Sequence, residues 1–173
     1  MTATPDELAE IRRHAEAEYP SECFGVILTR GESERLLLRC RNIQDELHAK
    51  EPMTYARTAR MAYHVHPKDL LEIHRRCDVE GYRLAVIYHS HCDAGPYFST
   101  TDKRIALTND EPTYPGVTYI VVSILNRRLP PWLTRKLPSR WLISGGRYSA
   151  TAAFRWDAGR RDFLAVEFKE FQA

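Results

Sequence analysis

No stretch of this chain approaches the roughly 20 consecutive apolar residues that a helix needs to cross a bilayer. Its first ten residues carry Asp6 and Glu7, and they have neither a basic start nor an apolar run, so no secretory signal is visible. The expected address is the cytoplasm. Cysteine is scarce: Cys23, Cys40, Cys77 and Cys92 are separated by 17, 37 and 15 positions and form no C-x-x-C pair. That excludes a zinc ribbon or a thioredoxin-type site, and the thiols are expected to be reduced. An excess of one charge is lacking as well, with 25 Lys and Arg against 23 Asp and Glu. A net charge of +2 commits the protein to neither nucleic acid nor membrane. There is no repeat, low-complexity tract or linker. What remains is 173 residues, 43% hydrophobic and 28% charged, a globular composition of one-domain length whose core would bury about 70% of the unfolded surface.

The charge is uneven in one place. Between Arg127 and Arg161 nine Lys and Arg face one acid, Asp157. Such a block is either a docking face for an acidic partner or a solvated surface.

Local signals order the chain. Thr4-Pro5-Asp6-Glu7 reads as a capping box with proline at the first helical position, opening a helix over 5–18 that Pro20 stops. The apolar run Cys23 to Leu28, the turn Arg30-Gly31-Glu32 and the segment Arg35 to Arg39 read as a hairpin. Residues 42–60 are polar and without period, a long loop that folds over something. A brief strand is expected at 62–65. Pro67 then opens a helix whose Leu70, Ile73, His74 and Cys77 share one face and which Gly81 ends. Leu84 to His89 has the continuous apolar character of a strand buried on both faces, the expected centre of the sheet. Ser99 caps a short helix reaching Thr108, Thr118 to Leu125 is a further strand, and Ala152 to Trp156 with Phe163 to Phe168 is a closing pair around Asp157-Ala158-Gly159. Strands interleaved with helices predict a single α/β domain with a mixed sheet flanked by helices.

The chemistry concentrates in His89-Ser90-His91. Strand side chains alternate, so the two imidazoles project from one face and both can reach one metal ion. Asp102 follows His91 by eleven residues, at a helix start from which its carboxylate can turn back toward the strand end. Two histidines and one carboxylate with an open fourth position make the donor set of catalytic rather than structural zinc. Glu22, beside the first strand, is the candidate base. Ser99, one helical turn before Asp102, is placed to donate to a developing oxyanion. Alone, a His-x-His pair most often consists of two satisfied core histidines; a Glu and an Asp held beside it call for a cation to balance them. His64 and His66 repeat the spacing without matching acids and read as surface or loop residues. Tyr97 and Phe98, between the ligands, are candidates for the substrate groove or for the core.

Glu22, then H-S-H, seven residues, Ser, two residues and Asp resembles the JAMM motif of the MPN (JAB) domain metallopeptidases. Tyr19-Pro20-Ser21-Glu22-Cys23-Phe24-Gly25 is similar to the Pro-x-Glu-x-x-Gly start of the first strand in the prokaryotic branch, and Val86-Ile87-Tyr88 leads into the histidines as in that family. Residues 5 to 126 carry the resemblance; 127–173, the closing strands and the basic extension, are less diagnostic. Cys92 stands where the family often has proline after the second histidine, and Phe98 where proline often precedes the serine, so the loop between them has its own shape.

The resemblance implies a single-domain MPN fold with layers like those of cytidine deaminases. It also implies one zinc ion on His89, His91 and Asp102, with Glu22 and Ser99 as catalytic residues. The implied activity is hydrolysis of a peptide or isopeptide bond at the extended C-terminal tail of a ubiquitin-like or sulfur-carrier protein, a tail that adds as a strand to an open sheet edge. The family also contains non-catalytic scaffolds, the alternative reading, but these characteristically lose ligands and none is lost here. A nucleobase deaminase would need H-x-E and P-C-x-x-C, and neither is present. No nucleic-acid or membrane partner is expected. The sequence leaves the oligomeric state open.

Overall fold

The computed structural model describes residues 3–126 and 145–167. Helix α1 (Pro5–Glu18) begins as its capping box dictates. The Thr4 side chain accepts from the Glu7 amide at 3.2 Å, and the Glu7 carboxylate accepts from the Thr4 amide at 2.7 Å. Strands β1 (Phe24–Arg30) and β2 (Glu34–Cys40) form the expected hairpin, with Phe24 opposite Cys40 and Arg30 opposite Glu34. There follow α2 (Gln44–Lys50), α3 (Pro67–Glu80), β3 (Arg83–Cys92), α4 (Thr100–Ile105), the two-residue strands β4 (Leu107–Thr108) and β5 (Glu111–Pro112), then β6 (Thr118–Asn126), β7 (Gly146–Asp157) and β8 (Asp162–Val166). Among the described residues six strands make one mixed sheet in the order β2-β1-β3-β6-β7-β8, in which only β3 and β6 are parallel.

Strand alternation gives the sheet two apolar faces. On one, Ile27, Val86, Tyr88, Ile120 and Val122 pack with Leu8, Ile11 and Ala15 of α1. On the other, Val26, Leu28, Ile87, Tyr119 and Val121 pack with Ile73 of α3, Phe98 and Phe163. His89 and His91 lie two and four residues beyond Ile87 and share its face. Gly25 is required where β1 crosses Tyr88: a Cβ there would collide with the Tyr88 phenol and stand 2.6 Å from the Leu38 carbonyl oxygen. The glycine of the motif is thus a packing necessity.

Three expectations need correction. The segment 42–60 is not all loop, since it contains α2. That helix is seven residues long and its buried residue is the polar Gln44, so it has no apolar period to betray it. Residues 62–65 form no strand; only Val65 bridges to Asn42. The Asn42 side chain takes the bonds a neighbouring strand would have made, donating to the carbonyls of Glu22 and Ala62 and accepting from the amide of His64. The helix capped by Ser99 stops at Ile105, and Leu107–Thr108 turns through Asn109 and Asp110, both at positive φ, into β5. Phe168 and the basic stretch from Arg127 to Ser144 lie outside the described residues.

Candidate metal centre

Strand β3 carries His89 and His91 side by side, with their Nε2 atoms 3.3 Å apart. The Asp102 carboxylate reaches them from α4, with Oδ1 3.5 Å from His89 Nε2 and Oδ2 3.5 Å from His91 Nε2. It is held there by a second capping box: Oδ2 accepts from the Ser99 amide at 2.8 Å, and the Asp102 amide donates to Ser99 Oγ at 3.1 Å. All three residues are buried, and among the described residues no other trio of His, Cys, Asp or Glu converges in this way.

These separations suit a cation. Ligand bonds of about 2.0–2.1 Å in a tetrahedron set donor atoms about 3.3–3.4 Å apart. His91 Nδ1 lies 2.9 Å from the Gly95 carbonyl oxygen, which keeps the proton on Nδ1 and turns the Nε2 lone pair toward His89 and Asp102. Two lone pairs facing one another repel unless something positive lies between them. His89 Nδ1 is buried without a described partner. Burial holds the His89 pKa below its ordinary value. Burial opposes charge on Asp102 too, yet the nearby imidazoles of His89 and His91 and the bond from Ser99 outweigh that and keep its pKa far below the usual carboxylate range. Burial opposes charge on His91 as well, but Asp102, the Gly95 carbonyl and Glu22 outweigh it and raise its pKa; a cation that displaces the proton from the Nε2 atoms would meet two neutral nitrogens and an anionic oxygen.

Glu22 arrives by register. Phe24 pairs with His89 across β1 and β3, so continuing the ladder two residues sets Glu22 across from His91 on the same face. Two bonds fix that extension: the Cys23 amide donates to Ser90 Oγ at 2.8 Å, and the Ser90 amide to the Cys23 carbonyl at 3.1 Å. The Glu22 amide donates to the Ala59 carbonyl at 2.7 Å, and Asn42 Nδ2 to the Glu22 carbonyl at 2.9 Å. The side chain is buried at the wall of a cavity of about 520 Å³ shared with Arg57, His91, Tyr97, Ser99 and Thr101. Burial pushes its pKa up to about 8, against the pull of His91 and with the push of Asp102. A carboxyl poised in this way can both accept and return a proton near neutrality.

Ser99 Oγ accepts from the Asp102 amide, which leaves its hydroxyl proton to donate into the cavity. Tyr97 is 55% exposed, its ring 4.9 Å from that of His91. Phe98 touches the cavity, but its ring is buried among Tyr119, Phe154 and Phe163, so it serves the core rather than an open groove. Burial raises the Cys92 thiol to about 12, which keeps it protonated. His66 caps α3, its side chain accepting from the Lys68 amide. Sequence reasoning missed Ser90, Asn42 and Gln44, whose signals are single polar residues that no spacing rule singles out. It also missed Tyr63, whose ring lies 5.1 Å from His89. A second cavity, of about 410 Å³, opens behind Asp102 between α3 and the sheet, lined chiefly by apolar side chains such as Phe24, Tyr63, Leu70, Ile73 and Tyr119.

A family model described as prokaryotic homologs of the JAB domain matches residues 4–136. Protein DSY2949 from Desulfitobacterium hafniense is similar in structure at a TM-score of 0.55 and 16% identity, over 95% of this chain and 88% of that one. A protein from Salinibacter ruber is similar at a TM-score of 0.52 and 22% identity, over 96% of this chain and 89% of that one. At these identities both show the fold alone. No curated protein matches the chain.

Proposed function

The chain belongs to the prokaryotic JAB domain family, and on that premise we propose that it is a zinc-dependent peptidase or isopeptidase acting at the C-terminal tail of a ubiquitin-like or sulfur-carrier protein. The observation that carries this reading is the convergence of His89, His91 and Asp102 at 3.3–3.5 Å beside a buried glutamate in one cavity. Zinc on those three side chains would supply Lewis acidity, acidifying water and polarising a carbonyl.

The chain's own groups do the rest. The Glu22 carboxylate takes a proton from water as the water oxygen adds to the scissile carbonyl carbon. As the C–N bond breaks, Glu22 returns that proton to the leaving nitrogen, giving an acid and an amine. The Ser99 hydroxyl donates to the carbonyl oxygen as negative charge gathers on it. The apolar cavity behind Asp102 suits a side chain of the acyl half. Strand β2 is an edge of the sheet, separated from β3 only by β1, which favours a tail bound as an added strand. The four free cysteines suit a reducing compartment, supporting a cytoplasmic address. No helix among the described residues is long and apolar enough to cross a membrane.

The test is to load the protein with zinc and offer it a ubiquitin-like domain fused through a Gly-Gly tail to a reporter. Glu22→Gln is expected to keep the metal and lose turnover by roughly 10²–10⁴-fold, while His89→Ala loses both. Wild-type turnover by the Glu22→Gln variant, or wild-type protein that takes up no zinc, overturns the reading.

A further inference from the structure

The cavity holding Glu22 contains two guanidinium groups in different electrostatic states. Arg60 is ion-paired with Asp93 and lies over the ring of Tyr19. Arg57 meets no carboxylate among the described residues; its Nη1 donates to Thr101 Oγ1 at 3.0 Å. Its main chain is nevertheless firmly held. The Arg57 carbonyl accepts from Gln44 Nε2 at 2.7 Å, and Gln44 is only 5% exposed. Two residues on, the Ala59 amide donates to Asp45 Oδ1 at 2.6 Å, and the Ala59 carbonyl accepts from the Glu22 amide. Helix α2 therefore ties the base and the arginine into one wall. The guanidinium acts on Glu22 electrostatically, opposing the rise of its pKa. The wall also includes Ser99, Thr100 and Thr101, and with Arg60 paired to Asp93, Arg57 is the guanidinium of this cavity that no carboxylate pairs among the described residues.

The direction of the reaction gives this charge a meaning. Glu22 returns its proton to the leaving nitrogen, so its cavity is the amine side of the scissile bond. In an α-linked residue the carboxylate stands two bonds beyond that nitrogen, whereas in a lysine-linked bond the nitrogen ends a long aliphatic stem. We propose that Arg57 is a specificity residue that binds a carboxylate on the amine half of the substrate, with Thr101 orienting its guanidinium. The site then favours α-linked bonds whose leaving residue carries a free α-carboxylate or an acidic side chain. The assignment of the amine side rests on the hydrolase reading; the carboxylate site itself is tested without turnover.

In the first arm, metal-free protein labelled with ¹⁵N is titrated with glycine, glycinamide and glutamic acid α-amide at millimolar concentration. Glycine is expected to shift the Arg57 Nε and Thr101 amide resonances, glycinamide is not, and Arg57→Met abolishes the response. A response to the glutamic acid α-amide alone assigns the acidic side chain rather than the α-carboxylate. Equal shifts with glycinamide, or shifts that survive Arg57→Met, overturn the proposal. In the second arm, zinc-loaded protein cleaves tail peptides that differ only in a free or amidated carboxylate after the scissile bond. Amidation is expected to raise KM by about tenfold, as loss of one charge-assisted contact would, with kcat changed far less, and Arg57→Met removes the difference in KM. Cleavage of both peptides with the same KM by wild-type protein overturns the proposal. Failure to cleave either peptide, with glycine binding intact, overturns the hydrolase reading and leaves the carboxylate site standing.

Discussion

Ser90 shows how a residue with no chemistry of its own governs a site. It stands between two candidate ligands, yet strand alternation turns its side chain to the opposite face, where Oγ receives the Cys23 amide at 2.8 Å. That bond holds the start of β1, and Glu22 is the next residue toward the N-terminus. Ser90→Ala leaves the Cys23 amide buried without its acceptor, a loss of about 1–3 kcal/mol. We expect a lower Tm and a fall in kcat on a Gly-Gly fusion, with zinc affinity changed much less, because the segment leading into β1 carries the base and none of the ligands. Calorimetry, competitive zinc titration and turnover on the same preparation check this; equal loss of zinc affinity and of kcat would show that Ser90 supports the ligands instead.

Helix α1 is the element whose attachment to the sheet depends on pH. His14 on α1 is buried and within hydrogen-bond distance, 3.0 Å, of the Tyr88 hydroxyl on β3. Burial, with a smaller contribution from the charge of Arg39, pushes its pKa down from 6.5 to about 4. A histidine whose folded pKa is depressed takes up its proton more readily when unfolded. Its contribution to stability is therefore full above about pH 6.5 and is lost as pH falls toward 4. After allowance for solvent screening the loss is about 2 kcal/mol. His14→Gln keeps a partner for Tyr88 and cannot titrate. Urea unfolding of the two proteins at a series of pH values is expected to show the wild type losing this extra stability between pH 6.5 and 4, and parallel curves would refute the assignment. Helix α2 makes the complementary point: its buried Gln44 and its Asp45 serve the loop that backs Glu22, so its value lies in polar bonds rather than apolar packing.

For the molecule as a whole, zinc and the fold are thermodynamically linked, because the ligands come from β3 and α4 and meet only when the chain is folded. At a free zinc concentration of a hundred times Kd the folded state gains about 2.7 kcal/mol, or roughly 5–10 °C in Tm for a chain of this size. Chelation is expected to remove that increment from the wild type and to leave the Tm of His89→Ala unmoved, as read by scanning calorimetry. Much of the architecture was legible beforehand. The capping box at Thr4, the helix cap at Ser99, the hairpin turn at Gly31 and the apolar run before His89 are local signals, and each acts within a few residues of itself. The His-x-His spacing and the offset to Asp102 were legible for the same reason, since strand alternation and helix capping are short-range. Tertiary structure alone decided the rest. The distance from Glu22 to His91 follows from the β1–β3 register and the Cys23–Ser90 bonds, which join residues 67 positions apart. Phe98 went to the core because β6, β7 and β8 bring three aromatic rings to it. The wall bearing Arg57 exists because side-chain amides and carboxylates, whose partners lie far along the chain, replace the apolar pattern by which a sequence announces its elements.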